Sequence, residues 1–271
     1  MNDNLFLLFH LSTGDNFTMY AMVLHYQKIY KNVYIFCLYR NHEFITQLYA
    51  PYKNIHIFKI NDPSYNACVV SRDFFKQCSS DIKNYDTIAT GFMNSKWTKE
   101  GFKNFYMKFY EHIGLDYNIR YLPEYSKINR NIQIESQLYE ELIKIYGKTY
   151  IFVHDHRNYI YHHKNIRPNV IVNTDMPIFH PNYNYYNDYP KHKYYSLWNN
   201  KFYINNLLNY CTIIENATEI HISDSSFSCL CPYLDLTKVK NKCVYTTLDM
   251  KEYHSSFNDW NIVKSGTIYH S

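Results

Sequence analysis

An α/β fold built on parallel sheets is what this sequence predicts, and three observations predict it. Short, continuous apolar runs alternate with segments of helical period. One of those runs collapses into small hydroxyl and Asp residues that can open a helix, at Ser223-Asp224-Ser225-Ser226, and another is followed by the loop His10 to Asn16 and then a helix. The alternation fades once, between Asp116 and Arg130, where Pro123 interrupts it, so that two strand-loop-helix series of half size follow one another.

In order, Leu5 to Phe9 is a run without polar interruption, the mark of a strand covered on both faces. The loop His10 to Asn16 follows, then a helix presenting Met19, Met22, Val23, Tyr26 and Ile29 on one face. Strands are predicted at 33–38, 55–60 and 85–89, with helical segments between them. Thr98 can cap a helix carrying Phe102, Phe105, Tyr106 and Phe109, with Gly114 as its stop. A linker is placed at 116–130, and a helix marked by Leu138, Leu142 and Ile145 leads into the second series. Its strands are predicted at 149–153, 169–172 and 219–222, and Cys243 to Tyr245 closes it. Before the third of these, Ile204, Leu207, Leu208, Cys211 and Ile214 follow helical spacing. The stretch from Asn173 to Asn200, rich in Tyr, Asn and Pro, has no period and reads as a long loop over a cleft or an irregular surface.

Composition narrows the class. Hydrophobic residues make up 46% of the 271 positions and Gly numbers only 6, which excludes disordered and collagen-like chains. The 31 Tyr, with many Asn, Lys and Ile, follow from AT-rich codons and carry no functional signal. A net charge of +4 without a polybasic run argues against a nucleic-acid partner. The 7 Cys include no C-x-x-C pair and read as reduced and mostly buried. The apolar run at residues 5–9 is too short for a signal peptide or an integral membrane segment, which predicts a cytoplasmic protein.

Taken together, the two halves resemble the two Rossmann-like domains of a GT-B glycosyltransferase. Gly14-Asp15 on the first loop, the amphipathic helix after it and Tyr30 to Ile35 resemble the opening of heptosyltransferases. Asp224-Ser225-Ser226 falls where that family has an Asp-Thr-Gly phosphate turn, although the second-half Gly and the following His are absent. Ser225 to Phe227 and His154-Asp155-His156-Arg157 are more loosely similar to fucosyltransferase-like donor sites. The resemblance implies a fold of two Rossmann-like domains facing a cleft: residues 1–130 for the acceptor and residues 131–271 for the nucleotide-sugar donor. It implies transfer of a hexosyl or pentosyl group to a hydroxyl of a glycan, in glycan biosynthesis. Asp15 is then the catalytic residue, and Arg157, Ser225 and Ser226 bind the donor diphosphate. His154, Asp155 and Asp224 are further donor-site candidates, and His10, Thr13 and Asn16 acceptor-site candidates.

The residue types suit that chemistry on their own. Glycosyl transfer needs a base beside the acceptor hydroxyl and positive charge at the departing diphosphate. A carboxylate serves the first purpose; a forked guanidinium and a helix start serve the second. Each residue also has a plainer reading: Asp15 as a carboxylate at a helix start, Arg157 as the ion-pair partner of Asp155, and Asp224-Ser225-Ser226 as an ordinary cap. The histidines at 154, 156 and 162 could instead bind a metal. The expectation is nevertheless for no metal and no cofactor, since the chain has no Asp-x-Asp pair. Two competing functions stay open, a non-catalytic carbohydrate- or nucleotide-binding module and a nucleotide-sugar epimerase.

Overall fold

A computed structural model describes residues 2–61, 75–76, 78–91, 105–155, 170, 172–181, 202, 206–246, 257–264 and 269–270. They fall into two compact units, Met1–Asn129 and Arg130–Ser271. Each is built on its own parallel sheet, so the chain holds two Rossmann-like α/β units.

In the first unit β1 (Asn4–Leu8), α1 (Thr13–Gln27), β2 (Asn32–Leu38), α2 (His42–Tyr49), β3 (Ile55–Ile60), β4 (Tyr85–Ala89) and α3 (Phe105–Glu111) follow in order. The sheet order is β3-β2-β1-β4, with every pair parallel. The uninterrupted apolar run of β1 is explained by its interior place: Leu5, Phe6 and Leu7 are fully buried between two neighbouring strands. Phe6 is the hub of one face, with Tyr34 and Phe58 stacked on it and Phe75 and Tyr85 meeting it edge-on. Because the chain passes from β1 outward to β2 and β3 and then returns to the other side of β1, the order reverses between β1 and β4. Loops leaving the carboxyl ends of those two strands are therefore placed for ligand binding.

Helix α1 is buried on more than one face, with Asp15, Asn16 and Thr18 covered as well as its apolar residues. It ends at Gln27, so Ile29, expected as its last apolar rung, lies beyond it and is 45% exposed. Helix α3 packs on α1 through the Tyr110 hydroxyl, which donates to the Thr18 carbonyl at 2.6 Å. Gly114 adopts a φ of +73° just past α3, a conformation that favours glycine, and stops the helix there. Thr98 and Phe102 of the same predicted helix lie outside the described residues. The predicted linker is folded onto this unit. Tyr117, Arg120 and Tyr125 are buried, the Tyr20 hydroxyl donates to the Lys127 carbonyl at 2.7 Å, and the Asn129 amide donates to the Gln47 carbonyl at 2.8 Å.

The second unit opens with α4 (Ile132–Tyr146) and continues with β5 (Ile151–His154), β6 (Val172–Asn173), β7 (Ile178–Phe179), α5 (Cys211–Glu215), β8 (Glu219–Ser223), α6 (Ser226–Leu230), β9 (Asn241–Thr246), β10 (Asn261–Lys264) and β11 (Tyr269–His270). The main sheet has the order β10-β9-β8-β5-β7, all parallel. Three sequence expectations are corrected. The Cys243 to Tyr245 strand does not close the series, because β10 pairs on its outer side. Of the strand expected at 169–172, Val172 is described in β6, which pairs with β11, while 169 and 171 lie outside the described residues. The place beside β5 is filled by β7, a two-residue ladder too short to show a period. The helix expected from Ile204 is, within the described residues, a 3-10 turn at Leu207–Tyr210 running into α5.

Arg130 ties α4 to α5. Its guanidinium meets Glu135 through Nε and Nη2 and Glu215 through Nη1 and Nη2, while Thr212 also donates to Glu135 at 2.9 Å. The Glu135 side chain is fully buried. Burial alone would favour deprotonated Arg130, but the hydrogen bonds it donates to Glu135 and Glu215 outweigh it and hold the guanidinium charged. No helix among the described residues is long and apolar enough to cross a membrane.

Candidate active site

At the reversal in the first unit, β1 runs out into His10, Leu11 and Ser12, and α1 begins. Ser12 is extended, with φ −68° and ψ 158°, and its hydroxyl oxygen accepts from the Asp15 amide, the ordinary work of an N-cap. The same hydroxyl donates to Asp15 Oδ2 at 2.5 Å, so one serine fixes both the backbone and the carboxylate of Asp15. Asp15 is 7% exposed. His10 Nδ1 lies 4.0 Å from Asp15 Oδ2. Burial lowers the His10 pKa from 6.5 to about 4, so at neutral pH the ring is uncharged and brings no positive charge to the carboxylate.

The His10 ring meets Phe109 edge-on at 4.8 Å and is pressed against Gly91, just past the end of β4. Gly91 has a φ of +68°, and a Cβ there would stand 2.6 Å from His10 Nε2 and 2.3 Å from Phe109 Cε1. Any other residue would push His10 off its place. Thr90 beside it donates to the Phe109 carbonyl at 2.5 Å. Of the remaining acceptor-site candidates, Thr13 donates through Oγ1 to Asn41 Oδ1 at 3.1 Å. Asn16 is fully buried and donates to the Ser12 carbonyl at 2.8 Å, with its Oδ1 left unpartnered.

In the second unit the order reverses between β5 and β8, and the residues at their carboxyl ends are brought together. His154 Nδ1 lies 3.2 Å from Ser225 Oγ, and the His154 ring stacks on His180 with centroids 5.6 Å apart. Phe227 packs against His154 from α6 at 4.4 Å. Ser225 is the N-cap of α6. Its Oγ accepts from the Phe227 amide at 3.3 Å, its own amide donates to Ser228 Oγ at 3.1 Å, and Ser228 Oγ donates back to the Ser225 carbonyl at 2.6 Å. Ser225 is 4% exposed, whereas Asp224 and Ser226 are partly exposed. The Asp155 carboxylate is buried, accepting from the Val170 amide at 3.0 Å and lying 3.5 Å from His180 Nε2. His180 also accepts from the Asp155 amide at 3.2 Å.

Gly91, Asn41 and His180 belong to these two clusters and are not among the residues singled out from the sequence. Only Gly91 carries a local signal, a lone Gly directly after an apolar strand. Arg157 lies outside the described residues, as do His156 and His162. Among the described residues no group of three or more His, Cys, Asp or Glu is arranged to hold a metal ion.

No protein-family model matches the chain, and no curated protein matches it either. Among solved structures, the chain is similar to the crystal structure of the glycosyl transferase family 9 from Veillonella parvula DSM 2008. The sequence identity is 9% and the TM-score 0.49, over 98% of this chain and 88% of that one.

Proposed function

We propose that this protein is a metal-independent glycosyltransferase that moves a hexosyl or pentosyl group from a nucleotide-sugar donor to a hydroxyl of a glycan or related acceptor, in cytoplasmic glycan biosynthesis. The observation that carries the reading is the placement of Asp15, a carboxylate oriented by Ser12 at the carboxyl end of β1, where the strand order of the first sheet reverses. In the transfer, the acceptor oxygen bonds to the anomeric carbon as the bond to the diphosphate breaks. The hydroxyl proton goes to Asp15, and the donor leaves as a nucleoside diphosphate. A neutral His10 beside Asp15 suits that role, because an ion pair there would lower the basicity of the carboxylate. The first unit receives the acceptor near His10, Thr13 and Asn16.

The second unit holds the donor. Arg157 would supply a full positive charge to the diphosphate, with a planar fork able to bind two oxygens. The hydroxyl and amide of Ser225 already serve the start of α6 and His154. Its contribution is therefore to shape the site, with Asp155, while the partly exposed Ser226 and Asp224 stand nearer a ligand.

The test is donor turnover by the wild type and by Asp15→Asn. Wild-type protein should release nucleoside diphosphate when given donor and acceptor together; the variant should lose on the order of a hundredfold or more in rate. Donor affinity should stay near that of the wild type. A variant with full activity removes Asp15 from the mechanism, and a wild type that binds donor without releasing nucleoside diphosphate is a binding module.

A further inference from the structure

Asn41 is the last residue of the 3-10 turn Tyr39–Asn41, which runs directly into α2, and its backbone is helical, with φ −99° and ψ −5°. Its side chain makes no capping bond to α2. Its side chain is 5% exposed and turns to the neighbouring strand's loop: Nδ2 donates to the Leu11 carbonyl at 3.0 Å, and Oδ1 accepts from Thr13 Oγ1 at 3.1 Å. Those two bonds bracket Ser12, the residue whose hydroxyl holds Asp15 Oδ2. The placement follows from the sheet order, since β2 is the hydrogen-bonded neighbour of β1 and the 3-10 turn Tyr39–Asn41 leaves its carboxyl end level with the loop after β1. From the other side, Gly91 and Phe109 confine His10.

We propose that Asn41 is a positioning residue for the reaction: it fixes Leu11 and Thr13, hence Ser12, and through Ser12 the carboxylate of Asp15. This rests on the reading of Asp15 as the base. Placement matters because a base must lie within hydrogen-bond reach of the proton it takes, and small displacements of such groups are costly. Both side-chain bonds of Asn41 reach across to the loop after β1, and none serves its own helix.

Asn41→Ser removes both bonds without adding bulk, because serine is too short to span Leu11 and Thr13. The variant should fold, with a melting temperature lowered by the loss of two hydrogen bonds. Its kcat should fall by up to about a hundredfold, with the KM for donor unchanged. Amide hydrogen exchange over residues 12–16 should be faster than in the wild type. Unchanged exchange in that segment overturns the proposal, as does faster exchange with an unchanged kcat, which would leave Asn41 a structural residue only. If the wild type transfers no sugar, the glycosyltransferase reading fails and the catalytic half of this proposal fails with it. The exchange measurement still decides whether Asn41 holds the loop.

Discussion

His10 is a titratable residue buried in the first cluster, and the consequence of that burial can be read without a substrate. Its pKa falls from 6.5 to about 4 because burial penalises the charged ring. Between those two values the unfolded chain binds a proton that the folded chain does not, so stability rises with pH across that window. The contribution is fully present above about pH 6.5 and is lost as the pH falls toward 4. From pH 7 to pH 5 it amounts to about 2 kcal/mol. Urea denaturation at both values should show that difference shrink in His10→Gln, which has no titrating ring. An equal pH dependence in both proteins would mean that His10 is not held neutral by burial. Cys37 follows the same physics, since burial pushes its thiol up to about 12 and leaves it unreactive at neutral pH.

The elements are held by a few polar struts where apolar packing cannot fix an angle. Arg130 is the strongest of these, because its fork meets Glu135 and Glu215 together and Glu135 has no access to water. Removing it leaves a buried carboxylate unpaired. Arg130→Ala should therefore destabilise the protein by about 3–5 kcal/mol, measured by urea unfolding. Arg130→Lys should recover only part of this, because an ammonium cannot meet both carboxylates in fork geometry. A loss below about 1 kcal/mol would class the cluster with exposed ion pairs. At the start of α6, Ser225 and Ser228 satisfy each other and Ser225 also meets His154, so the cap and the site are one structure.

At the scale of the whole chain, the four-stranded and the five-stranded sheet each reverse their strand order once among the described strands, and each reversal gathers polar residues at carboxyl strand ends. With no Asp-x-Asp pair in the sequence, the proposed transferase must meet the charge of the leaving diphosphate with Arg157 and the start of α6. Treatment with EDTA should then leave transfer unchanged. Activity abolished by EDTA and restored by zinc, manganese or magnesium would overturn metal independence and direct attention to the histidines around His154. A bound dication would dominate the local electrostatics.

Local sequence is enough for the α/β class and for the positions of β1, β2, β3, β4, β5 and β8. Each is a short segment rich in apolar residues, continuous in β1 and interrupted by polar residues in β3, β4 and β8. Asp15 at a helix start and Asp224-Ser225-Ser226 as a cap are also legible locally, because capping acts over three or four residues, while Ser12 as the cap of α1 came from the structure. Only the tertiary structure decided what reaches across the chain. The pairing of β7 with β5 joins residues far apart in sequence through two ladder positions, too few to show a period. Asn41 carries no local signal, and its role is seen only in its bonds to Leu11 and Thr13 across the sheet. His180 reaches His154 because β7 lies beside β5, and Gly91 is required by the ring of His10 and not by its own turn alone. Caps and strands are written in neighbouring residues, whereas strand order brings together side chains that no local pattern connects.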